Sequence, residues 1–125
     1  PVIQFTPVVT GLPSPLDIVA SPLGTNSLYI VQRGATNGTA SILTVQNNTL
    51  LSEPFLSISG ISCCGERGLL SMVFHPQFTT NRTFFIFFTA GTSGALTIER
   101  WQTSGLSEPL VADPATRQVI LAIPH

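Results

Sequence analysis

Short runs rich in Val, Ile, Thr and Phe alternate along the chain with clusters of Gly, Pro, Asn and Ser. No stretch keeps apolar residues at helical spacing for three turns without a Pro or Gly between them. The pattern predicts an all-β chain, with strands near 3–10, 16–20, 28–32, 41–46, 53–58, 68–75, 83–90, 95–102 and 117–123. The longest intervening loop, roughly 103–116, carries Pro109 and Pro114 and is expected on the surface.

The strands repeat. Ile18-Val19-Ala20-Ser21-Pro22 aligns with Met72-Val73-Phe74-His75-Pro76, and Leu28-Tyr29-Ile30-Val31 with Phe84-Phe85-Ile86-Phe87. Ser41-Ile42-Leu43-Thr44-Val45 then aligns with Ala95-Leu96-Thr97-Ile98-Glu99, and Pro54 to Ile58 with Val119 to Ile123. A four-strand unit recurring at a period of about 55 residues has the geometry of a β-propeller blade. Strands 84–88 and 119–123 are apolar on both faces, as expected of sheets sandwiched between neighbours. The chain therefore reads as one partial propeller domain of about two antiparallel four-stranded blades. Residues 1–60 form the first unit with an N-terminal strand, and residues 61–125 the second. Two blades cannot close a ring, which takes at least four, so the chain is expected to be a fragment of a larger propeller.

Composition agrees. Of 125 residues, 43% are hydrophobic and only 9% charged, which leaves apolar surface for other protein to cover. The net charge is −1, and the five cations (Arg33, Arg67, Arg82, Arg100 and Arg117) are scattered, so no basic face for nucleic acid is expected. Lysine is absent, which excludes a Walker-type phosphate loop and lysine Schiff-base chemistry. No apolar run approaches the ~20 residues of a membrane helix. Three Asn-X-Thr sequons, at Asn37, Asn47 and Asn81, lie between strand-like runs and hint at export as a glycoprotein.

The densest cluster of chemically active residues is Cys63-Cys64-Gly65-Glu66-Arg67-Gly68, on the connection into the first strand of the second blade. Connections of this kind lie at the mouth of a propeller's central channel. Glycines around an acid–base pair suit a tight turn that presents Glu66 and Arg67 to a ligand, or simply to solvent. The adjacent cysteines cannot staple distant segments and make a poor metal site. His75 precedes a proline, as Ser21 does in the first unit, which favours a turn role for both. No nucleophile–base–orienter set and no metal-spaced cluster can be assembled, so no catalytic residue and no metal ligand is assigned within the chain.

Four strings then occur in an order shared with one family: Gly11 to Asp17, Leu28 to Gly34, Pro54 to Ile58, and Gly65-Glu66-Arg67-Gly68-Leu69-Leu70 running on to Phe74-His75-Pro76. The chain resembles the opening of the soluble glucose/sorbosone dehydrogenases, six-bladed propellers whose relatives include aldose sugar dehydrogenases and hedgehog-interacting-protein-like ectodomains. The resemblance implies a secreted or periplasmic parent that oxidises the C1 hydroxyl of a sugar with pyrroloquinoline quinone and calcium. It also implies that the catalytic histidine and the quinone and calcium ligands lie beyond His125, so the segment alone binds no cofactor and is inactive. Its partners are then the remaining blades and, in the parent, the sugar. Glu66 stands where glucose-oxidising members have a sugar-contacting glutamine, which with Arg67 gives the substrate-binding candidates. Cys63-Cys64 departs from those members. The pair can close an eight-membered disulfide ring that stiffens the turn, or remain as two thiols filling space. A parent that binds protein partners without catalysis is the alternative that the hedgehog-interacting relatives imply.

Overall fold

The computed structural model describes residues 1–125. Strands β1 (Pro15–Ala20), β2 (Ser27–Gln32) and β3 (Thr39–Gln46) form an antiparallel meander. Its fourth position is shared by β4 (Thr49–Leu50) and β5 (Leu56–Ser59), both paired with β3. The second sheet runs β6 (Leu69–Phe74), β7 (Thr83–Thr89), β8 (Leu96–Thr103) and β9 (Ala112–Ile123) in that order. The only helix is one turn, α1 (Phe78–Asn81). The chain is thus nearly all β, in two antiparallel sheets of blade topology.

The internal repeat is visible in the register. Each blade carries a β-bulge at the same place in its first strand, at Pro15/Asp17 and at Leu69/Ser71. Beyond the bulge, Ile18 opposes Ile30 as Met72 opposes Ile86. The third strands depart from the sequence alignment. Leu28 opposes Val45 and Phe84 opposes Trp101, so Val45 corresponds to Trp101 rather than to Glu99. The slip is two residues. Strand side chains alternate with period two, so the slip keeps every residue on its expected face.

Two other expectations are corrected. Residues 3–10 form no strand: Val2, Ile3 and Phe5 stand exposed with no sheet partner, and Pro7 interrupts the run. Val8, Val9 and Leu12 instead line a cavity of about 160 Å³ with Ile18, Leu28, Ile30 and Val45 on the outer face of the first sheet. The 103–116 segment lies on the surface only in part: Ser104, Leu106, Ser107, Pro109 and Pro114 are exposed as expected, but the segment is also anchored inward. Thr103, Leu110 and Ala112 are buried, and β9 already begins at Ala112. Glu108 explains the inward fold. Its carboxylate accepts hydrogen bonds from Ser21 Oγ (2.6 Å), Thr25 Oγ1 (3.0 Å) and the Tyr29 hydroxyl (2.7 Å), drawing the loop onto the first sheet.

The core lies between the two sheets. Tyr29, Val31, Ile42, Phe55 and Ile58 from one face meet Met72, Phe84, Ile86, Phe88 and Trp101 from the other. Tilted and edge-on aromatic contacts join Tyr29 to Phe55 and Phe74, and Phe55 to Phe84. One charge enters this layer. Glu99 is buried, but both of its oxygens accept from Arg117 Nε (2.9 Å) and one accepts from Trp101 Nε1 (3.0 Å). First strands β1 and β6 approach each other across the layer, so the connection between blades must cross the rim where both strands begin.

Candidate functional site

Strand direction fixes what shares that rim. β1 and β6 start there, β2 and β7 end there, and β3 and β8 start there again. The turn at 63–68 and the 34–38 loop therefore lie on the same side. Ile61 N–H donates to Gly38 O at 3.0 Å and ties the loop to the segment that leads into the turn. His75 follows the far end of β6 and lies on the opposite rim.

The turn is held at both feet by one buried side chain. Thr89 Oγ1 donates to Ser62 O (2.9 Å) and accepts from Gly68 N–H (2.8 Å). The Thr89 backbone repeats the link, its carbonyl accepting from Ser62 N–H (2.8 Å) and its N–H donating to Gly68 O (3.0 Å). From the first blade, Arg33 O accepts from Leu69 N–H (2.8 Å), and the Arg33 guanidinium donates to Gly65 O (3.3 Å). Gly68 is required here. Its φ is +149°, and a Cβ would stand 2.5 Å from Arg33 O. Gly68→Ala is expected to lower stability by about 1–3 kcal/mol. Gly65→Ala, where φ is +72° and the space beside it is open, should cost only about 1 kcal/mol. Thermal unfolding of the two variants checks the order.

Between these feet the chain bulges into solvent. Cys63 and Cys64 are half-buried and joined to each other in a disulfide. Glu66 and Arg67 are exposed. Arg67 N–H donates to Cys64 O (3.4 Å), and its guanidinium reaches Ser62 Oγ (3.4 Å) and lies over Gly94. Glu66 makes no hydrogen bond or ion pair, so its carboxylate is free to accept from a ligand. The turn offers one free anion and one loosely held cation on a fixed backbone, a pair suited to a polyhydroxylated molecule. Beside it, Pro13, Gln32, Gly34, Ala35, Thr39, Ala40 and Ser41 line an open cavity of about 190 Å³.

The other residues singled out from sequence are spread apart. Asn37 shares the rim of the turn, whereas Asn47 and Asn81 lie on the opposite one. His75 has a turn role: its Nδ1 accepts from Gln77 N–H (3.0 Å) and faces Asn81 Nδ2 (2.9 Å), bracing the entry to α1. Sequence reasoning gave Thr89, Ser62 and Arg33 no role. Arg33 lies inside a string shared with the family, but Thr89 is one polar residue at the end of an apolar strand, and only the fold shows what it faces.

No family model matches the chain. It is 35% identical over 99 residues to the Hedgehog-interacting protein of Mus musculus and 34% identical over the same length to that of Homo sapiens. Each match covers 75% of this chain and 13% of the relative. Among solved structures, the PQQ-bound form of aldose sugar dehydrogenase from Streptomyces coelicolor matches with a TM-score of 0.62 at 26% identity, over 89% of this chain and 32% of that one. The chain is similar to both branches of the propeller family read in its sequence. Its length therefore corresponds to a minor part of either relative, and the blade topology described above agrees with a partial propeller.

Proposed function

We propose that the chain forms the first two blades of an exported six-bladed propeller, and that the whole protein is a quinone-dependent dehydrogenase oxidising the C1 hydroxyl of an aldose. The observation that carries this reading is the match of 89% of the chain to the PQQ-bound aldose sugar dehydrogenase. In this reading the 63–68 turn faces the channel mouth. Glu66 accepts hydrogen bonds from sugar hydroxyls, Arg67 donates to them, and the disulfide with Thr89 holds the backbone that presents both. Charge-assisted hydrogen bonds of this kind are the stronger sort, and a turn fixed in advance loses little entropy when the sugar arrives.

The residues present do not themselves fit calcium or the quinone. No three His, Cys, Asp or Glu side chains gather, whereas calcium takes six to eight oxygen ligands. The cavity beside the turn is lined by no cation that would hold a quinone's carboxylates. Both groups are assigned to later blades, and the role proposed for this chain is confined to the sugar.

The test uses the intact parent protein, reconstituted with pyrroloquinoline quinone and calcium and assayed by dye reduction across a panel of aldoses. Turnover is expected, and Glu66→Gln should shift KM or sugar preference several-fold while leaving thermal unfolding unchanged. Identical kinetics for the variant across the panel would reject the sugar contact. A parent with no turnover on any aldose would favour the second reading, a non-catalytic extracellular propeller that binds protein. The 35% identity to the Hedgehog-interacting protein supports that alternative.

A further inference from the structure

The three sequons look alike in sequence, but the fold treats them differently. We propose that Asn37 and Asn47 carry N-linked glycans and that Asn81 does not. The proposal rests on the reading that the protein is exported, and it adds which sites are modified.

Asn37 is exposed in the loop between β2 and β3. Its Oδ1 accepts from both Thr39 N–H (3.1 Å) and Thr39 Oγ1 (2.7 Å), which leaves Nδ2 without a partner and open to solvent. The sequon hydroxyl thus lies against the very amide that is to be modified. Asn47 is exposed at the tip of the β3–β4 hairpin, where Asn47 and Asn48 both take positive φ (50° and 62°). Its only side-chain contact is a 3.5 Å hydrogen bond accepted by Oδ1 from Asn26, and Nδ2 is again free.

Asn81 differs at every atom. It is half-buried, its Nδ2 lies 2.9 Å from His75 Nδ1, and its Oδ1 accepts from Thr83 N–H at 3.0 Å. The sequon hydroxyl, on buried Thr83, is turned away from the amide and donates to the Asn81 backbone carbonyl (3.1 Å), which also accepts from Gln102 Nε2 (2.8 Å). Transfer of a glycan from a lipid-linked oligosaccharide diphosphate breaks the sugar C1–O bond and forms a C1–Nδ2 bond. The amide gives up one proton, and the lipid diphosphate leaves. At Asn37 and Asn47 the product keeps every contact of the folded loop. At Asn81 the sugar would have to occupy the space beside the His75 ring and pull Nδ2 off Nδ1, undoing the brace at α1.

The pattern also fits the proposed assembly. The glycan on Asn37 shares the rim of the 63–68 turn, the one on Asn47 lies on the opposite rim, and no sequon falls on an open sheet face that another blade would cover.

The experiment secretes the full chain from a eukaryotic cell behind an added leader. Peptide N-glycosidase treatment in heavy-oxygen water then marks each formerly glycosylated Asn as labelled Asp. Mass spectrometry of the secreted protein should find the label at Asn37 and Asn47 and an unmodified Asn81. On gels, Asn37→Gln and Asn47→Gln should each remove one glycan step, and Asn81→Gln none. A glycan on Asn81, or a bare Asn37 or Asn47 in the secreted protein, overturns the proposal. Failure of the export reading would look different: protein from its natural source would be bare at all three sites while the forced-secretion result stood.

Discussion

Glu108→Ala is expected to lower the stability of the chain by about 2–4 kcal/mol, the combined cost of lost charge-assisted hydrogen bonds and an orphaned buried hydroxyl. The side chain holds three groups of the first sheet from a loop of the second, and its other oxygen contacts also reach Leu110 N–H (3.3 Å). Thr25 is exposed and can turn to water when the carboxylate is removed. Tyr29 cannot, because its side chain is fully buried against Phe55 and Phe74. The same substitution frees the Gly105–Leu110 loop, so the burial of Leu110 is lost with it. Equilibrium denaturation of Glu108→Ala and Glu108→Gln checks the effect. The glutamine should recover part of the loss, since its carbonyl still accepts. A loss below ~0.5 kcal/mol for the alanine would show that the loop is held by apolar packing alone.

The same contact gives the chain an alkaline signature. Burial, and then the hydrogen bond and the negative charge of Glu108, hold the Tyr29 hydroxyl well above the ordinary tyrosine range near 10. The folded state therefore keeps a proton that the unfolded chain releases. Stability is complete below about pH 10 and falls as pH rises past it, by up to ~1.4 kcal/mol per pH unit. No other side chain confuses the reading. The chain has no lysine and a single tyrosine, and both cysteines are in the disulfide. Tyr29→Phe should lower stability at neutral pH yet flatten the slope above pH 10.

The sequence made the blade pattern legible because strands buried on both faces must be built from apolar, β-branched and aromatic residues. Gly and Pro between them mark where the chain turns. The turn at Gly65–Gly68 was legible for the same reason. What stayed hidden depends on partners distant in sequence. Residues 3–10 have strand composition, but Pro7 interrupts the run and none of them pairs with a sheet edge, so propensity alone misled. Glu108 lies among Ser, Gly and Pro and resembles any loop residue until Ser21, Thr25 and Tyr29 are brought opposite it. Thr89 is hidden in the same way, as one polar position closing a run of phenylalanines. The two-residue slip of the third strands has a related origin. The loops preceding them, 33–38 and 90–95, are equal in length, so the third strands keep the offset of the second, whereas matching apolar residues alone set them two residues short.

The chain is expected to self-associate at micromolar concentration through the outer face of the second sheet. In register, Val73 opposes Phe85, Phe87 opposes Ile98, and Ile98 opposes Leu121, so these side chains form one contiguous patch on the face away from the core. Val73, Leu121 and Ile123 are 45–58% exposed, while Arg100 is the only charge that the pairing places among them. At roughly 25 cal/mol per Å², covering even 200–300 Å² of such surface favours association by about 5–8 kcal/mol, before the cost of lost rotational and translational freedom. A neighbouring blade would bury this face in the proposed ring, as the first sheet buries the opposite one. Light scattering over a concentration series should therefore show dimers or larger species. Ile98→Lys and Leu121→Lys, which place charge in the middle of the patch, should shift the chain toward monomer with little change in its unfolding midpoint. A wild-type chain that stays monomeric at 100 μM would argue that this face needs no cover, and with it against a further blade packed on β6–β9.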